Sequence, residues 1–366
     1  MTPAPATLRR LAIAPDGRGA GWRMAREAGP DPAAALLGRT PEDAARLAPL
    51  VFNLCGAAHG LAAASALGLP ATADTRAMAR ETVRDHALAM LHTWPGAVGA
   101  PPDREALSLL ARPGGEMAFA AALVGDGSDL PAFSLAEMEA WLQEAPTATA
   151  RLLGRIRREV DPAEGRAGLP ELTADDLSAA LRAAAAPASR PPVPPVEDAR
   201  TGDGHRTGGD PSASRTTTRV HGMAAGDAAL RETGALGRVA ATPLLSSLLA
   251  GEGPSLFVRL LARLADCLIA LRGPPALVPA PEPGLGLAPA ARGLLGHAAR
   301  VENGRVASYR ILSPSSWNLS PGGLMERAFA ALTPGRQTPW LAPLLVSAIN
   351  PCVPVTLSTA QELAHA

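Results

Sequence analysis

Two cysteines far apart in the chain, Cys55 and Cys352, carry the most distinctive chemistry of the sequence. His59 follows Cys55 by four residues, a spacing that puts both side chains on one face of a helix. Thiolates suit a soft metal such as low-spin iron, and two of them from opposite ends of a chain can meet only in a folded core. A lone cysteine is more often a buried core residue, and Cys267, surrounded by leucines, is predicted to be one.

Two further motifs lie between these cysteines. The first reads Arg-Gly-Leu-Leu-Gly-His from Arg292 to His297, and the second reads Ser-Pro-Ser-Ser-Trp-Asn from Ser313 to Asn318. Taken in order with Cys55, His59 and Cys352, they resemble the large subunit of nickel–iron hydrogenases. That family carries two Cys-x-x-Cys pairs, one near each end of the chain, which together hold the Ni–Fe centre.

Each of these cysteine pairs has lost one member here. When residues are counted without gaps from Gly38-Arg39, Cys55 aligns with the second cysteine of the first pair. Phe52 aligns with the first cysteine of that pair. His59 then falls on a histidine of the family, and the resemblance implies that it belongs to the cofactor pocket. A shifted alignment would make Cys55 the first cysteine instead, but it would lose the histidine match. Val355 stands where the partner of Cys352 is expected.

The resemblance implies a role for each matched residue. Cys55 and Cys352 would ligate iron, Arg292 would lie beside the iron and its cyanide ligands, and Pro314 with Ser315 would bond the other cyanide. Bound cyanide is anionic, so in a dry pocket it needs fixed donors and a fixed cation. Arginine gives that contact a planar geometry that an ammonium group lacks. With two thiolates in place of four, neither nickel binding nor hydrogenase activity is expected.

Among relatives of these large subunits, the accessory proteins of the HupK/HoxV type also combine degenerate cysteine pairs with complete cyanide-pocket residues. The resemblance therefore implies a scaffold in hydrogenase maturation. It would hold the Fe(CN)2(CO) unit before that unit enters the large-subunit precursor, with HypC-like and HypD-like maturation proteins as further partners. A metal-free chaperone that mimics the large subunit stays open as an alternative. A redox subunit with another cofactor is less favoured, because the sequence has no Cys-rich cluster motif.

Composition narrows the class of protein. The chain has 366 residues, is 47% hydrophobic and has a formal net charge of zero. It therefore has enough apolar residues for one large core or two smaller ones, and no basic field for nucleic acid or an anionic membrane surface. Three cysteines do not form a disulfide framework. Reduced thiols, together with an N-terminus that lacks an apolar signal segment, predict a cytoplasmic protein.

The hydrophobic pattern predicts a mainly α fold with a small β element, as the resemblance to a degenerate large subunit also implies. Helices are predicted over 34–70, 76–93, 134–158, 173–186, 255–271 and 322–332, with a last helical stretch ending at Asn350. The clearest β segment is 297–318, where an Asn-Gly pair between alternating runs predicts a hairpin. The polar, proline-rich residues 187–227 predict a flexible linker or disordered insertion. This linker would divide one domain into halves 1–186 and 228–366.

Overall fold

Helices make up more than half of the described residues of this protein, as the mainly α prediction expects. The computed structural model describes residues 6–16, 21–70, 73–125, 129–185, 230–277 and 282–358. The predicted linker 187–227 lies outside the described residues, and the division into halves 1–186 and 228–366 stays a prediction. The helices are α1 (Pro41–Val51), α2 (Gly56–Ala66), α3 (Thr75–Leu88), α4 (Trp94–Ala97), α5 (Arg104–Leu109), α6 (Glu116–Val124), α7 (Leu135–Glu144), α8 (Ala148–Glu159), α9 (Ala174–Ala185), α10 (Ala235–Val239), α11 (Pro243–Glu252), α12 (Leu256–Arg272), α13 (Pro314–Asn318), α14 (Leu324–Ala330) and α15 (Thr338–Ile349).

Two three-stranded sheets supply the small β element. Their strands are β1 (Ala6–Pro15), β2 (Trp22–Pro30), β3 (Leu285–Ala290), β4 (Gly293–Glu302), β5 (Arg305–Leu312) and β6 (Val355–Leu357). The first sheet has the order β2-β1-β6, and the second has the order β3-β4-β5. Strand β6 runs parallel to β1, whereas all other pairs are antiparallel. Because β6 begins shortly after Cys352, its pairing with β1 fixes the position of that cysteine relative to the N-terminal hairpin.

Helix α12 lies at the centre of the largest hydrophobic cluster. Every residue from Leu256 to Leu268 is buried, including two arginines and one aspartate, and the helix packs against α3, α10 and α15. The cluster extends from Leu11 in β1 to Ile349 in α15. The core therefore joins distant parts of the chain, and it surrounds charged side chains that need partners within the protein.

The predicted helix over 34–70 is broken in the structure, so that prediction was wrong in its continuity. Thr40 caps α1 by accepting a hydrogen bond from the Asp43 N–H, as its position before a proline predicts. Helix α1 ends at Phe52, whose φ of −110° and ψ of 56° are not helical, and a short 3-10 turn over Asn53–Cys55 precedes α2. The two helical segments are bent by 86°. The bend places Cys55 at the start of α2.

Two other predicted segments also need correction. The β segment 297–318 ends at Leu312, because Ser313 and Pro314 provide an N-cap and a first helical position for α13. The Asn303-Gly304 hairpin turn itself is confirmed, with φ of 49° and 69° at these two residues. The predicted helix over 134–158 is two helices, α7 and α8, separated at Pro146. Strands β1, β2, β3 and β6 were not predicted.

Among the described residues, no single helix is long and apolar enough to cross a membrane, and α12 is interrupted by buried charges. Helix α1 and the segment Asn53–Ala66 meet the criteria of length and composition only when taken together across their bend.

Candidate functional site

Cys55 lies at the N-terminus of α2, where the bend after α1 turns the chain inward. Its side chain is buried, and it is the N-cap residue of α2 without making a side-chain capping hydrogen bond. Glu81 of α3 satisfies that helix end instead, because its Oε1 accepts a 2.9 Å hydrogen bond from the Ala57 N–H. The Cys55 sulfur is therefore not used as a cap and is available for other chemistry.

Cys352 lies just beyond the C-terminus of α15, which ends in a left-handed residue, Asn350, with φ of 57°. The Cys352 N–H donates a 2.8 Å hydrogen bond to the Ser315 hydroxyl, and Ser313 Oγ lies 3.9 Å from the Cys352 sulfur. Pro314 opens α13 and places Ser315 in its first turn. Ser315 thus accepts from the cysteine loop, and its hydroxyl hydrogen can still be donated to a ligand.

The structure brings Cys55, Cys352 and Arg292 within electrostatic reach of one another. Burial raises the pKa of Cys55 to about 12, the Arg292 guanidinium lowers this pKa in part, and the Cys352 sulfur raises it further. Without a metal, Cys55 is therefore a thiol at neutral pH. A metal ligated there would displace the thiol proton, as thiolate ligation requires.

Arg292 lies in the turn between β3 and β4, and the residue after it, Gly293, can only be glycine. Gly293 has a φ of +127°, and a Cβ at this position would lie 2.4 Å from Thr233 Oγ1. The Arg292 Nη2 lies 2.5 Å from Asp85 Oδ1. Its Nε and Nη1 are buried and have no hydrogen-bond partner among the described residues. One edge of the guanidinium is thus anchored, and its other N–H groups are available to a ligand.

Asp85 holds this arginine as part of a buried network. Its Oδ2 also accepts a 2.6 Å hydrogen bond from the Asn350 side-chain amide and lies 3.0 Å from Arg263 Nη2. Burial alone would raise the pKa of Asp85, but Arg263 and Arg292 outweigh it and keep that pKa below its ordinary value. Arg263 in turn donates from Nε to His86 Nδ1 at 3.1 Å. Asp85 therefore fixes two arginines and the loop before Cys352.

Replacing Asp85 by asparagine should strongly destabilise the fold. The change leaves Arg263 and Arg292 without their shared carboxylate, and breaking a buried ion pair by removing one partner costs about 3–5 kcal/mol. The matched control is Asp129→Asn, because Asp129 forms an exposed pair with Arg272 and such pairs contribute about 0–1 kcal/mol. Urea unfolding of both variants measures the difference. Equal losses in the two variants would contradict the assigned network.

His59, predicted to belong to the cofactor pocket, forms a buried chain of hydrogen bonds. Its Nδ1 lies 2.8 Å from His297 Nε2, and His297 Nδ1 lies 2.7 Å from the Tyr309 hydroxyl. The Tyr309 hydroxyl has no other acceptor among the described residues, so it donates to His297. His297 then donates to His59, which leaves the proton of His59 on Nε2. The chain joins α2 to strands β4 and β5 and fixes the ring of His59.

These buried histidines make stability depend on pH. Burial lowers the pKa of His59 to about 4, and burial also lowers the pKa of His297 well below its ordinary value. The unfolded chain takes up these protons near pH 6.5, before the folded protein does. Stability is therefore fully present above about pH 6.5 and is lost as the pH falls towards 4, by up to about 1.4 kcal/mol per pH unit for each histidine.

We expect the free energy of unfolding in urea to be lower at pH 5.5 than at pH 7.5. A folded His59→Gln variant should lose part of this dependence, whereas His92→Gln should keep it, because His92 is exposed. An unfolding free energy that stays constant or increases towards pH 5.5 would show that the two histidines are not buried in their neutral form.

Two other residues with reactive side chains, Cys267 and His86, lie in the core. Cys267 is fully buried in α12, as predicted, and burial raises its pKa. His86 is completely buried, and its Nε2 lies 2.7 Å from Asp266 Oδ2. Asp85 and Asn350 were not predicted as site residues. No local motif marks Asp85, and its bond to Asn350 joins positions 265 residues apart.

Comparisons with known proteins place this chain in a family. A family model described as nickel-dependent hydrogenase matches residues 210–329. The hydrogenase expression/formation protein HupK of Rhodobacter capsulatus is 32% identical over 345 residues, which cover 92% of this chain and 92% of that protein. The chain belongs to the HupK/HoxV family of hydrogenase expression/formation proteins. HoxV of Cupriavidus necator is 30% identical and covers 90% of each chain.

Solved structures agree on the fold. The H2-activated, anaerobically purified [NiFeSe]-hydrogenase of Dm. baculatum has a TM-score of 0.54 at 15% identity, covering 92% of this chain and 94% of that one. A second structure of this hydrogenase has a TM-score of 0.52 with the same coverage. The chain therefore has a fold like that of a hydrogenase large subunit, as the resemblance implied.

Proposed function

We propose that this protein is an accessory protein of hydrogenase maturation, which holds an Fe(CN)2(CO) unit and passes it to the large-subunit precursor. The observation that carries the proposal is one location that combines two thiols, Cys55 and Cys352, with the unpartnered N–H groups of Arg292. The names of the relatives, hydrogenase expression/formation proteins, support a role in maturation rather than in hydrogen conversion.

The donor set suits iron that brings some of its own ligands. Among the described residues, no three His, Cys, Asp or Glu side chains form a group that could hold a metal ion. A metal at Cys55 and Cys352 would thus have two protein ligands, too few for a closed protein site. An iron atom that already carries two cyanides and one carbonyl needs fewer protein ligands. Thiolates suit such a soft centre.

Arg292 and Ser315 would supply the contacts to the cyanides. A cyanide nitrogen accepts hydrogen bonds, and charged donors give the stronger ones. Arg292 offers Nε and Nη1, whereas Ser315 offers the hydrogen of a hydroxyl whose oxygen accepts from the Cys352 N–H. Pro314 begins the helix that positions this serine. His59, one turn after Cys55, is fixed by His297 and would line the same pocket.

Two protein ligands favour release over permanent storage. A site of four thiolates holds its metal with more bonds than a site of two, so the cargo would pass from the weaker site to the stronger one. We propose HypC-like and HypD-like maturation proteins as donors and the hydrogenase large-subunit precursor as the acceptor. The exchange would take place in the cytoplasm, where thiols remain reduced.

Anaerobic protein produced together with the maturation machinery should contain iron and negligible nickel. The reason is that this chain offers two cysteine thiolates as ligands, whereas four hold a Ni–Fe centre. Elemental analysis of the purified protein measures both metals in one sample. Protein produced without the machinery is the control and should contain little of either. Nickel in a one-to-one ratio with the protein would contradict the proposal.

A further inference from the structure

A small cavity with both charged and apolar lining residues lies beside Arg292, next to α12. Its volume is about 20 Å³, room for one water-sized or chloride-sized occupant. Three arginines line it, Arg259, Arg263 and Arg292, whereas Cys55 and Cys352 do not. The cavity is therefore distinct from the thiol pair, although Arg292 borders both.

Two of the arginines that line this cavity carry buried N–H groups without partners in the described part of the chain. Arg259 pairs through both Nη atoms with the two carboxylate oxygens of Glu232, each at 3.0 Å, which leaves its Nε without a partner among the described residues. The Nε and Nη1 of Arg292 are also buried without a hydrogen-bond partner among the described residues. The Arg259 side chain is only 5% exposed. Buried donors of this kind are costly unless a ligand or water satisfies them.

The charges around the cavity favour an anion over a neutral molecule. Its three arginines contact two carboxylates, because Arg259 pairs with Glu232 while Arg263 and Arg292 share Asp85. His86 also lines the cavity. Burial lowers its pKa, and this effect outweighs the hydrogen bond to Asp266, which raises it. His86 is therefore neutral and adds no charge. Of the other groups that face this network, Asp266 is paired with Arg238, and Glu171 is exposed at its margin.

We propose that, in the protein without cargo, this cavity binds a monatomic, monovalent anion of chloride size between Arg259 and Arg292. The anion would satisfy the three unpartnered N–H groups and balance the positive charge that the three arginines carry in excess of their two carboxylates. The inference goes beyond the proposed function and does not depend on it. Since cyanide ligands of a cargo would compete for Arg292, the test uses protein produced without the maturation machinery.

The test is thermal unfolding at constant ionic strength, with sodium chloride exchanged stepwise for sodium gluconate. Gluconate is too large for a cavity of about 20 Å³. A ligand that binds only the folded state raises the unfolding temperature with its concentration, so we expect a rise with chloride. Arg292→Gln should remove this rise. The matched control Arg272→Gln should retain it, because Arg272 is half-exposed and pairs with Asp129.

Equal unfolding temperatures of the wild type in both salts would overturn the proposal and indicate water in the cavity. A full chloride response in folded Arg292→Gln would also overturn it, because the anion would then bind elsewhere. If Arg292→Gln does not fold, wild-type crystals soaked in bromide decide the question. An anomalous peak within hydrogen-bond distance of Arg259 Nε and Arg292 supports the site, and its absence overturns it. None of these results bears on iron binding at the cysteines.

Discussion

Replacing Cys55 by serine should abolish iron retention, and Cys352→Ser should have the same effect. A serine hydroxyl is a poor ligand for soft iron, because it is not ionised at neutral pH and lacks a polarisable sulfur. With only two protein ligands, loss of either leaves a single anchor. The iron content of anaerobically purified protein, measured per mole of folded chain, should therefore fall to the background in both variants.

Cys267→Ser is the matched control for these two variants. It makes the same chemical change in a fully buried residue of α12, outside the proposed site. An unpaired hydroxyl there costs roughly 1–3 kcal/mol of stability, but iron should be retained. If Cys267→Ser lost the iron while Cys55→Ser kept it, the assignment of the ligands would be wrong.

Arg292→Leu should cause the largest loss of cargo among changes around the proposed cyanide contacts. It removes the cation and leaves a cyanide facing apolar carbon, and it also takes one partner from Asp85. Arg292→Lys keeps the charge but loses the planar fork with its several fixed donors, so its loss should be smaller. Ser315→Ala removes one neutral hydrogen bond, which contributes about 0.5–1.5 kcal/mol, and should have the smallest effect.

The readout for this series is the intensity of the cyanide infrared bands per mole of protein. Circular dichroism checks that each variant is folded, which matters because Arg292 also belongs to the buried network around Asp85. Equal band intensities in three folded variants would show that Arg292 and Ser315 do not contact cyanide.

The local elements could be predicted from the sequence because their causes are local. Thr40 before Pro41 predicts the start of α1, and the Asn303-Gly304 pair predicts the β4–β5 turn. Both depend on backbone preferences within a few residues. The break at Phe52 was missed, since an alanine-rich and leucine-rich pattern continues through it. Strand β6 was missed for a different reason, because its partner β1 lies at the other end of the chain.

The candidate site shows the same division between local and distant causes. Motifs predict Arg292, Pro314 and Ser315 as candidates, but no pattern in the sequence reveals that Asp85 anchors Arg292 or that Asn350 bonds Asp85. These contacts form only when α3, α15 and the β3–β4 turn pack around α12. The unpartnered N–H groups of Arg292 depend on that packing, so they could not be inferred from residue types alone.

Infrared spectroscopy of the wild-type protein would detect an Fe(CN)2(CO) unit held by Cys55 and Cys352 directly. The sample is purified without oxygen after production together with the maturation machinery, and a parallel Cys55→Ser, Cys352→Ser double variant provides the background. We expect cyanide and carbonyl stretching bands in the wild type, together with iron, and no such bands in the double variant. Folded wild-type protein with neither bands nor iron would contradict iron binding at Cys55 and Cys352 and would favour the metal-free chaperone.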